Sequence, residues 1–238
     1  MVPTLDVDHD ARRAETLARR FEGADAQTLV RLALTLYEGR IALVSSFGTD
    51  SAVLLHLVAQ VDPATPVIFL DTGRVFAQTL VYRNDLARTL GLSNIRVAKP
   101  TPARLMAEDP DRLLSYSNPD LCCWIRKVEP LDAALEPFSA WITGRKRAQA
   151  ATRASLATFE AEAGRIKVNP LASWTSRDVN DYMTAHGLPP HPLVSDGYAS
   201  IGCAPCTTRV RPGEDARAGR WRGSAKVECG IHKGVSGI

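Results

Sequence analysis

Five cysteines stand in three places along a chain of 238 residues: Cys122 and Cys123 side by side, Cys203 and Cys206 as Cys-Ala-Pro-Cys, and Cys229 alone near the end. Two pairs and a single residue suggest two chemistries. Four thiolates from two segments can hold zinc or an iron–sulfur cluster. Adjacent side chains diverge on a helix or strand, which makes Cys122-Cys123 an awkward chelate for one zinc ion. The separated metal corners of a larger cubane suit such a pair better. Four unrelated buried thiols are the plainer alternative. Cys229 lies in Glu228-Cys229-Gly230-Ile231-His232, with Lys226 and Lys233 close by. Cations around an exposed thiol favour the thiolate, which is the nucleophilic form. His232 could stabilise that thiolate or bind an anion. A spare cysteine is the bland reading of the same residues.

Three further features could handle an anion. Lys127 follows Cys123 by four residues, on one helix face if the segment is helical, and could place a cation between a cluster and an anionic ligand. As a surface lysine it would mean nothing. The turn Ser45-Ser46-Phe47-Gly48-Thr49-Asp50-Ser51 carries small residues between an apolar run and a helical run. Backbone N–H groups there, with a helix N-terminus behind them, can approach a phosphate. It is not a Walker A loop, since no Gly-Lys-Ser/Thr follows, and an ordinary capped turn has the same composition. Basic residues gather at Arg145-Lys146-Arg147 with Arg153, and again at Arg209, Arg211, Arg217, Arg220 and Arg222. Each group is either an anion site or a solvated face.

The elements that must position these residues alternate. Helices are expected from about Asp10 to Phe21 and Ala26 to Tyr37, then a strand over Ile41–Ser46 and a helix through AVLLHLVAQ. Strands follow at Pro66–Asp71, Asn94–Lys99 and Ser139–Gly144, with helices from about Phe76 to Thr89 and Cys122 to Leu135 between them. Alternation of this kind predicts an α/β fold, a parallel sheet with helices on both faces. Ligands of such sheets sit at the carboxyl ends of the strands, where the loops Ser45–Ser51, Asp71–Gly73 and Thr143–Arg147 fall. Ser173-Trp174-Thr175-Ser176-Arg177-Asp178 reads as an N-cap leading into one more helix that ends near His186-Gly187. Beyond it Pro and Gly become frequent, and a metal would serve to pin such loops. The expected organisation is N-terminal helices over 1–40 packed on the core, an α/β domain over 41–222 that includes the four-cysteine site, and a mobile tail over 223–238 carrying Cys229.

Hydrophobic residues make up 45% and charged residues 23%, with a formal net charge of +3. That is ordinary for a globular domain and too mild to argue for nucleic acid. The N-terminal segment lacks the apolar core of a secretory signal, and no apolar run is long enough to span a bilayer. The expected compartment is the cytoplasm, where thiols stay reduced and cysteines serve metals or catalysis.

Taken together, the segments SSFGTDSAVL, FLDTGRVF, CCWIRKVEPL, WITGRKRAQAATR, KVNPLASWTSRDV, GYASIGCAPCT, GEDARAGRW and ECGIH resemble, in order, the adenylyl-sulfate and phosphoadenylyl-sulfate reductases, specifically the bacterial iron–sulfur type also found in plants. The resemblance implies a core of the adenine-nucleotide alpha-hydrolase type, akin to the PP-loop pyrophosphatases. It implies that Cys122, Cys123, Cys203 and Cys206 ligate a 4Fe-4S cluster and that Cys229 is the nucleophile. Lys127, Arg153, Arg217, Arg220 and His232 would surround the phosphosulfate of adenosine 5'-phosphosulfate. Ser45, Ser46 and Gly48 would belong to a modified phosphate loop, and Leu70, Thr72 and Gly144 would lie near the nucleoside. Thioredoxin is the implied reductant, and a homo-oligomer is open. The chain departs from the family pattern at Ser51, at Arg222 after Trp221, and at Val227 before Glu-Cys. Three alternatives accompany this reading: reduction of the 3'-phosphorylated substrate, alone or as well, ATP-dependent adenylation on the same fold, and a zinc-bound interaction domain without catalysis.

Overall fold

The computed structural model describes residues 5–232. Helices α1 (Leu5–Arg20) and α2 (Ala26–Leu36) lead into β1 (Ile41–Ser45), α3 (Ser51–Ala59), β2 (Val67–Leu70), α4 (Ala77–Thr89) and β3 (Ile95–Ala98). Three short helices follow, α5 (Pro102–Glu108), α6 (Leu114–Ser117) and α7 (Pro119–Cys123). Then come α8 (Glu129–Leu135), β4 (Ala140–Ile142), the hairpin β5 (Phe159–Glu162) and β6 (Arg165–Val168), and α9 (Ser176–Ala185). The strands form one six-stranded sheet in the order β3-β2-β1-β4-β6-β5. All neighbours are parallel except β5 and β6.

Strand alternation divides the core between two faces. Ile41, Leu43, Val67, Phe69, Ala140 and Ile142 point to one side, where α1 to α4 and α9 cover them. Ala42, Ile68, Leu70 and Trp141 point to the other, against Leu131 and Leu135 of α8 and against Ile231 from the tail. Among the described residues no helix is long and apolar enough to cross a membrane.

The order of strands fixes where a ligand can enter. From β1 the chain steps outward to β2 and β3, then returns to place β4 on the opposite side of β1. The direction of winding reverses between β1 and β4, and the loops leaving their carboxyl ends part there to open a crevice.

One element has no counterpart in the expected order, and one expectation requires correction. The strands β5 and β6 form a hairpin that the sequence pattern does not announce. Their sequences FEAE and RIKV contain no apolar run, and the Ala163-Gly164 turn, with φ of 51° and 71°, lacks the Asn-Gly or Asp-Gly signal of a tight hairpin. The helix expected over 122–135 is broken into α7, a π-helical turn at Trp124–Val128, and α8. Pro130 is the cause that the sequence supplies: it has no N–H to donate and its ring crowds the carbonyl four residues back, so the ladder widens by one residue before it.

Candidate active site

The loop after β1 is built around Phe47, which is fully buried with φ of 48°. Few bulky residues adopt that backbone conformation. Its ring meets Phe69 edge-on at 5.6 Å, and Ser45 Oγ accepts the Phe47 N–H at 3.2 Å. With Phe47 turned into the core, Ser46, Gly48 and Thr49 are left facing the crevice. Gly48 has little room for a side chain, since a Cβ would lie 3.3 Å from Ser46 Oγ and 3.4 Å from the Ile201 carbonyl. Asp50 precedes α3 but does not cap it. Its carboxylate accepts instead from Lys146 Nζ at 2.7 Å, and tethers the first loop to the one after β4.

In that second loop Arg145 and Lys146 depart from the solvated-face reading, while Arg147 is exposed. Lys146 is 2% exposed. Arg145 is buried too, donating to Glu160 and, at 3.3 Å, to Asn169 Oδ1. Burial lowers the Arg145 guanidinium against the pull of Glu160 and Glu162. The later basic cluster divides. Arg217 and Arg220 line the crevice, whereas Arg209, Arg211 and Arg222 are exposed, with Arg222 held by Glu214 at 2.8 Å.

The crevice is a cavity of about 220 Å³. Ser45, Ser46, Gly48, Leu70, Thr72, Lys127, Gly144, Arg153, Arg217, Arg220 and His232 all line it, together with Cys229 and Cys203. These residues come from six separate stretches of chain, which the sheet and the returning tail bring together. Cys122, Cys123 and Cys206 are not part of the lining. Cys122 and Cys123 end α7, and Cys203 and Cys206 bracket a short turn whose Ala204 N–H donates to the Arg74 carbonyl at 2.7 Å. The two cysteine pairs are near enough that each thiolate charge opposes the others. Burial raises the thiols of Cys122 and Cys206 and pushes Cys123 up to about 12. Burial would raise Cys203 too, but Lys127, a hydrogen bond with Thr72 Oγ1 at 3.2 Å, and Arg220 reverse the direction and lower it. Lys127 shows the reciprocal effect: burial disfavours its charge, and the thiols of Cys203, Cys229 and Cys123 more than restore it. The ammonium therefore sits between the four-thiol group and the cavity.

The tail closes one side. Glu228, in contact with solvent over only 9% of its surface, accepts from Arg153 Nε and Nη2 at 2.8 Å each, and from Arg217 Nη2 at 3.3 Å. Burial would raise its carboxyl, but the hydrogen bonds and charge of Arg153, with Arg217 behind, hold it below the usual value. Arg153 also donates to Gln149 at 2.6 Å, and Arg217 to the Val227 carbonyl at 2.9 Å. The His232 ring stacks nearly parallel on Trp141 at 6.0 Å. Burial and the cations of Lys167, Arg145, Arg153 and Arg217 drive its pKa well down, so the ring is neutral and offers an anion a hydrogen bond rather than charge. Residues 223–232 of the expected tail are described, and 233–238 lie outside the described residues. Arg220 passes over Gly202, where a Cβ would stand 2.3 Å from its Nη2.

Sequence reasoning passed over Glu228, Asp50 and Lys146 as partners. Glu228 was visible as part of ECGIH, but its arginines lie 75 and 11 residues away, and no local pattern announces such a pairing.

A mostly parallel sheet with a cation-lined crevice at its switch point defines an α/β protein with a site suited to an anionic ligand. The phosphoadenosine phosphosulfate reductase domain matches residues 40–209. The chain belongs to this family. A protein from Mesorhizobium japonicum named adenosine 5'-phosphosulfate reductase is 53% identical over 240 residues, covering 98% of this chain and 94% of its own. One of the same name from a Chelativorans species is 56% identical over 230 residues, covering 96% and 93%. The crystal structure of phosphoadenylyl-sulfate reductase from Candida auris, a phosphate complex, superposes with a TM-score of 0.70 at 27% identity, covering 87% of this chain and 98% of that one. FMN adenylyltransferase from Candida glabrata shares the fold, with a TM-score of 0.53 at 16% identity over 85% of this chain and 75% of its own.

Proposed function

We propose that the chain reduces adenosine 5'-phosphosulfate to sulfite and AMP in the assimilation of sulfate, with thioredoxin as electron donor, in the cytoplasm. The observation that carries this reading is the placement of one thiol, Cys229, in the same cavity as Lys127, Arg153, Arg217 and Arg220. In the proposed first step the Cys229 thiolate attacks the sulfur of the phosphosulfate. The new S–S bond forms as the S–O bond to phosphate breaks, and AMP leaves with the electron pair. The cations neutralise the charge that develops on the departing phosphate. Cys229 then carries an S-sulfonate.

Cys229 is the one cysteine outside the four-thiol group, so no internal thiol is free to resolve that adduct as a disulfide. One thioredoxin thiolate attacks the Cys229 sulfur and sulfite leaves with the pair. The second thioredoxin thiolate then attacks the mixed disulfide, releasing the Cys229 thiolate and leaving oxidised thioredoxin. For this exchange the tail must alternate between the cavity and the partner.

Cys122, Cys123, Cys203 and Cys206 suit a 4Fe-4S cluster: three of these thiols are buried and Cys206 is half-buried, and the adjacent pair diverges, which suits the separate metal corners of a cubane better than one tetrahedral zinc. When bound, the cluster would pin the loop at 203–206 and place further charge beside Lys127. Both electrons of the reaction come from thiols.

The test is anaerobic sulfite release with thioredoxin from adenosine 5'-phosphosulfate and from its 3'-phosphorylated analogue, run with wild type and Cys229→Ser. Sulfite from the unphosphorylated substrate, and none from the variant, is the expected result. Without reductant the wild-type peptide containing Cys229 should gain one SO₃. Turnover by Cys229→Ser, or the label on another cysteine, overturns the mechanism.

A further inference from the structure

Arg153 lines the cavity with three of its donors already engaged. Nε and Nη2 meet the two oxygens of Glu228 at 2.8 Å each, and Nη1 donates to Gln149 Oε1 at 2.6 Å. The two partners differ in what they are attached to. Glu228 stands directly before Cys229 in the tail. Gln149 closes the short turn Arg147–Gln149 after β4, and that turn is fastened without help from the tail. The Arg147 N–H donates to the Ala172 carbonyl at 2.9 Å, Arg147 Nε to the Leu156 carbonyl at 2.8 Å, and Lys146 Nζ to Asp50 at 2.7 Å. When the tail leaves, two of the three bonds on Arg153 leave with it and the third stays.

The chemistry of Gln149 suits a permanent holder. Its Oε1 also accepts the Lys146 backbone N–H at 3.2 Å. Both groups that face the amide are donors, so only its oxygen can be turned towards them. A glutamate would accept the same bonds, but it would add a negative charge beside Arg153 and oppose an anionic ligand. The neutral amide takes one Nη1 hydrogen and leaves the guanidinium its full charge. Arg153 is only 9% exposed. Without any holder its long side chain would have to be ordered afresh at each binding event, at a cost in affinity.

We infer that Gln149 is a positioning residue, which keeps the Arg153 guanidinium in the cavity while the tail is away, so that the site takes up and releases its nucleotide without losing one of its cations. This rests on the reading of the cavity as a phosphosulfate site whose tail comes and goes.

The experiment titrates full-length protein calorimetrically with AMP, which carries a phosphate and no reactive sulfur, and with adenosine, which carries neither. Gln149→Met keeps the length of the side chain and puts a methyl group where the amide stood. It is measured alone, combined with Glu228→Ala, and combined with Arg153→Ala. While Glu228 is present the substitution should change the affinity for AMP by less than about twofold, because two bonds still hold Arg153. Combined with Glu228→Ala it should weaken AMP by about threefold to tenfold relative to Glu228→Ala alone, the cost of ordering one long side chain, with adenosine unchanged. Combined with Arg153→Ala it should have no further effect, since the residue it acts through is gone. If Gln149→Met does not fold, Gln149→Leu takes its place. Equal losses for AMP and adenosine mean a packing role and overturn the inference. So does an effect on AMP that is the same with and without Glu228, or one that persists beside Arg153→Ala. A wild-type protein that binds AMP no better than adenosine would instead overturn the assignment of the cavity.

Discussion

Replacing Glu228 by glutamine keeps the shape of the tail and removes one charge from the centre of its seat. The carboxylate receives three hydrogen bonds from two guanidinium groups, two of them parallel from Arg153. Glutamine offers one carbonyl oxygen in place of two carboxylate oxygens, so at least one charge-assisted bond is lost, worth about 1.5–3 kcal/mol. Arg153 is itself buried, and with its charge less well compensated the upper part of that range applies. At 1.4 kcal/mol per factor of ten, the equilibrium between seated and released tail should shift by about 40-fold to 140-fold towards release. The loss falls on the tail rather than on the sheet, so the thermal midpoint should change little. Two assays read the shift. Alkylation of Cys229 by iodoacetamide should accelerate by the same factor, followed by the mass of its peptide. Single-turnover AMP release should slow only as far as the seated fraction itself falls, since the ratio of the two populations is what the substitution changes. Acid should imitate the substitution in wild type. Glu228 titrates below its ordinary value of 4.5, so its contribution is complete above that value and is lost as pH falls through the lowered one. Alkylation and single-turnover rates within twofold of wild type would refute the reasoning, because they would show that the ion pair does not hold the tail.

Three other outcomes follow from the same geometry. Lys127→Ala should lower kcat/KM by about 100-fold or more, as loss of a preorganised charge at a leaving group does, with iron content unchanged; near-normal activity would place the lysine outside the chemistry. Gly202→Ala should displace the Arg220 guanidinium, which can move aside at small cost, so KM for the adenylyl sulfate should rise while the thermal midpoint barely changes. His191 is buried, with Nδ1 accepting the Leu193 N–H at 3.2 Å and Nε2 against Thr79 Oγ1 at 3.0 Å, and burial lowers its pKa to about 4 from 6.5. Between these values the unfolded chain binds more protons, so stability is full above pH 6.5 and declines as pH falls to 4, by about 3 kcal/mol in all; denaturant titrations of wild type and His191→Asn should differ in slope across that interval, and parallel profiles would contradict the assignment.

The parts of this molecule legible in its sequence are those whose cause is local. The strands β1, β2 and β4 are short apolar runs between turn residues, so the sheet centre and the loops at its carboxyl edge are legible in the sequence. The hairpin β5–β6 was missed because its strands carry Glu160, Glu162 and Lys167 at positions that answer to partners elsewhere: Lys167 Nζ lies over the Trp141 ring at 4.5 Å and bonds Glu162. The π-turn was missed because a helical period of 3.6 describes both sides of it, and Pro130 reads equally well as a residue of a first turn. The cavity residues were named from a family resemblance, and the fold gathers them. The pairings inside the cavity, Asp50 with Lys146 across 96 residues and Arg153 with Glu228 across 75, are products of the fold and leave no trace in spacing.

The placement of Ile231 has a kinetic side. It packs against the apolar face formed by Leu131, Leu135 and Trp141, two residues from the thiol that lines the cavity. The thiol proposed as nucleophile is therefore anchored to a piece of the hydrophobic core, and handing it to the proposed reductant means melting that piece. On the proposed reaction each turnover contains a small local unfolding event, with a free energy set by the burial of one isoleucine and one ion pair. A larger or better-fitting side chain at position 231 would speed attack on the nucleotide and slow delivery to the reductant. Catalytic throughput on that reaction is then greatest for a seat of intermediate strength.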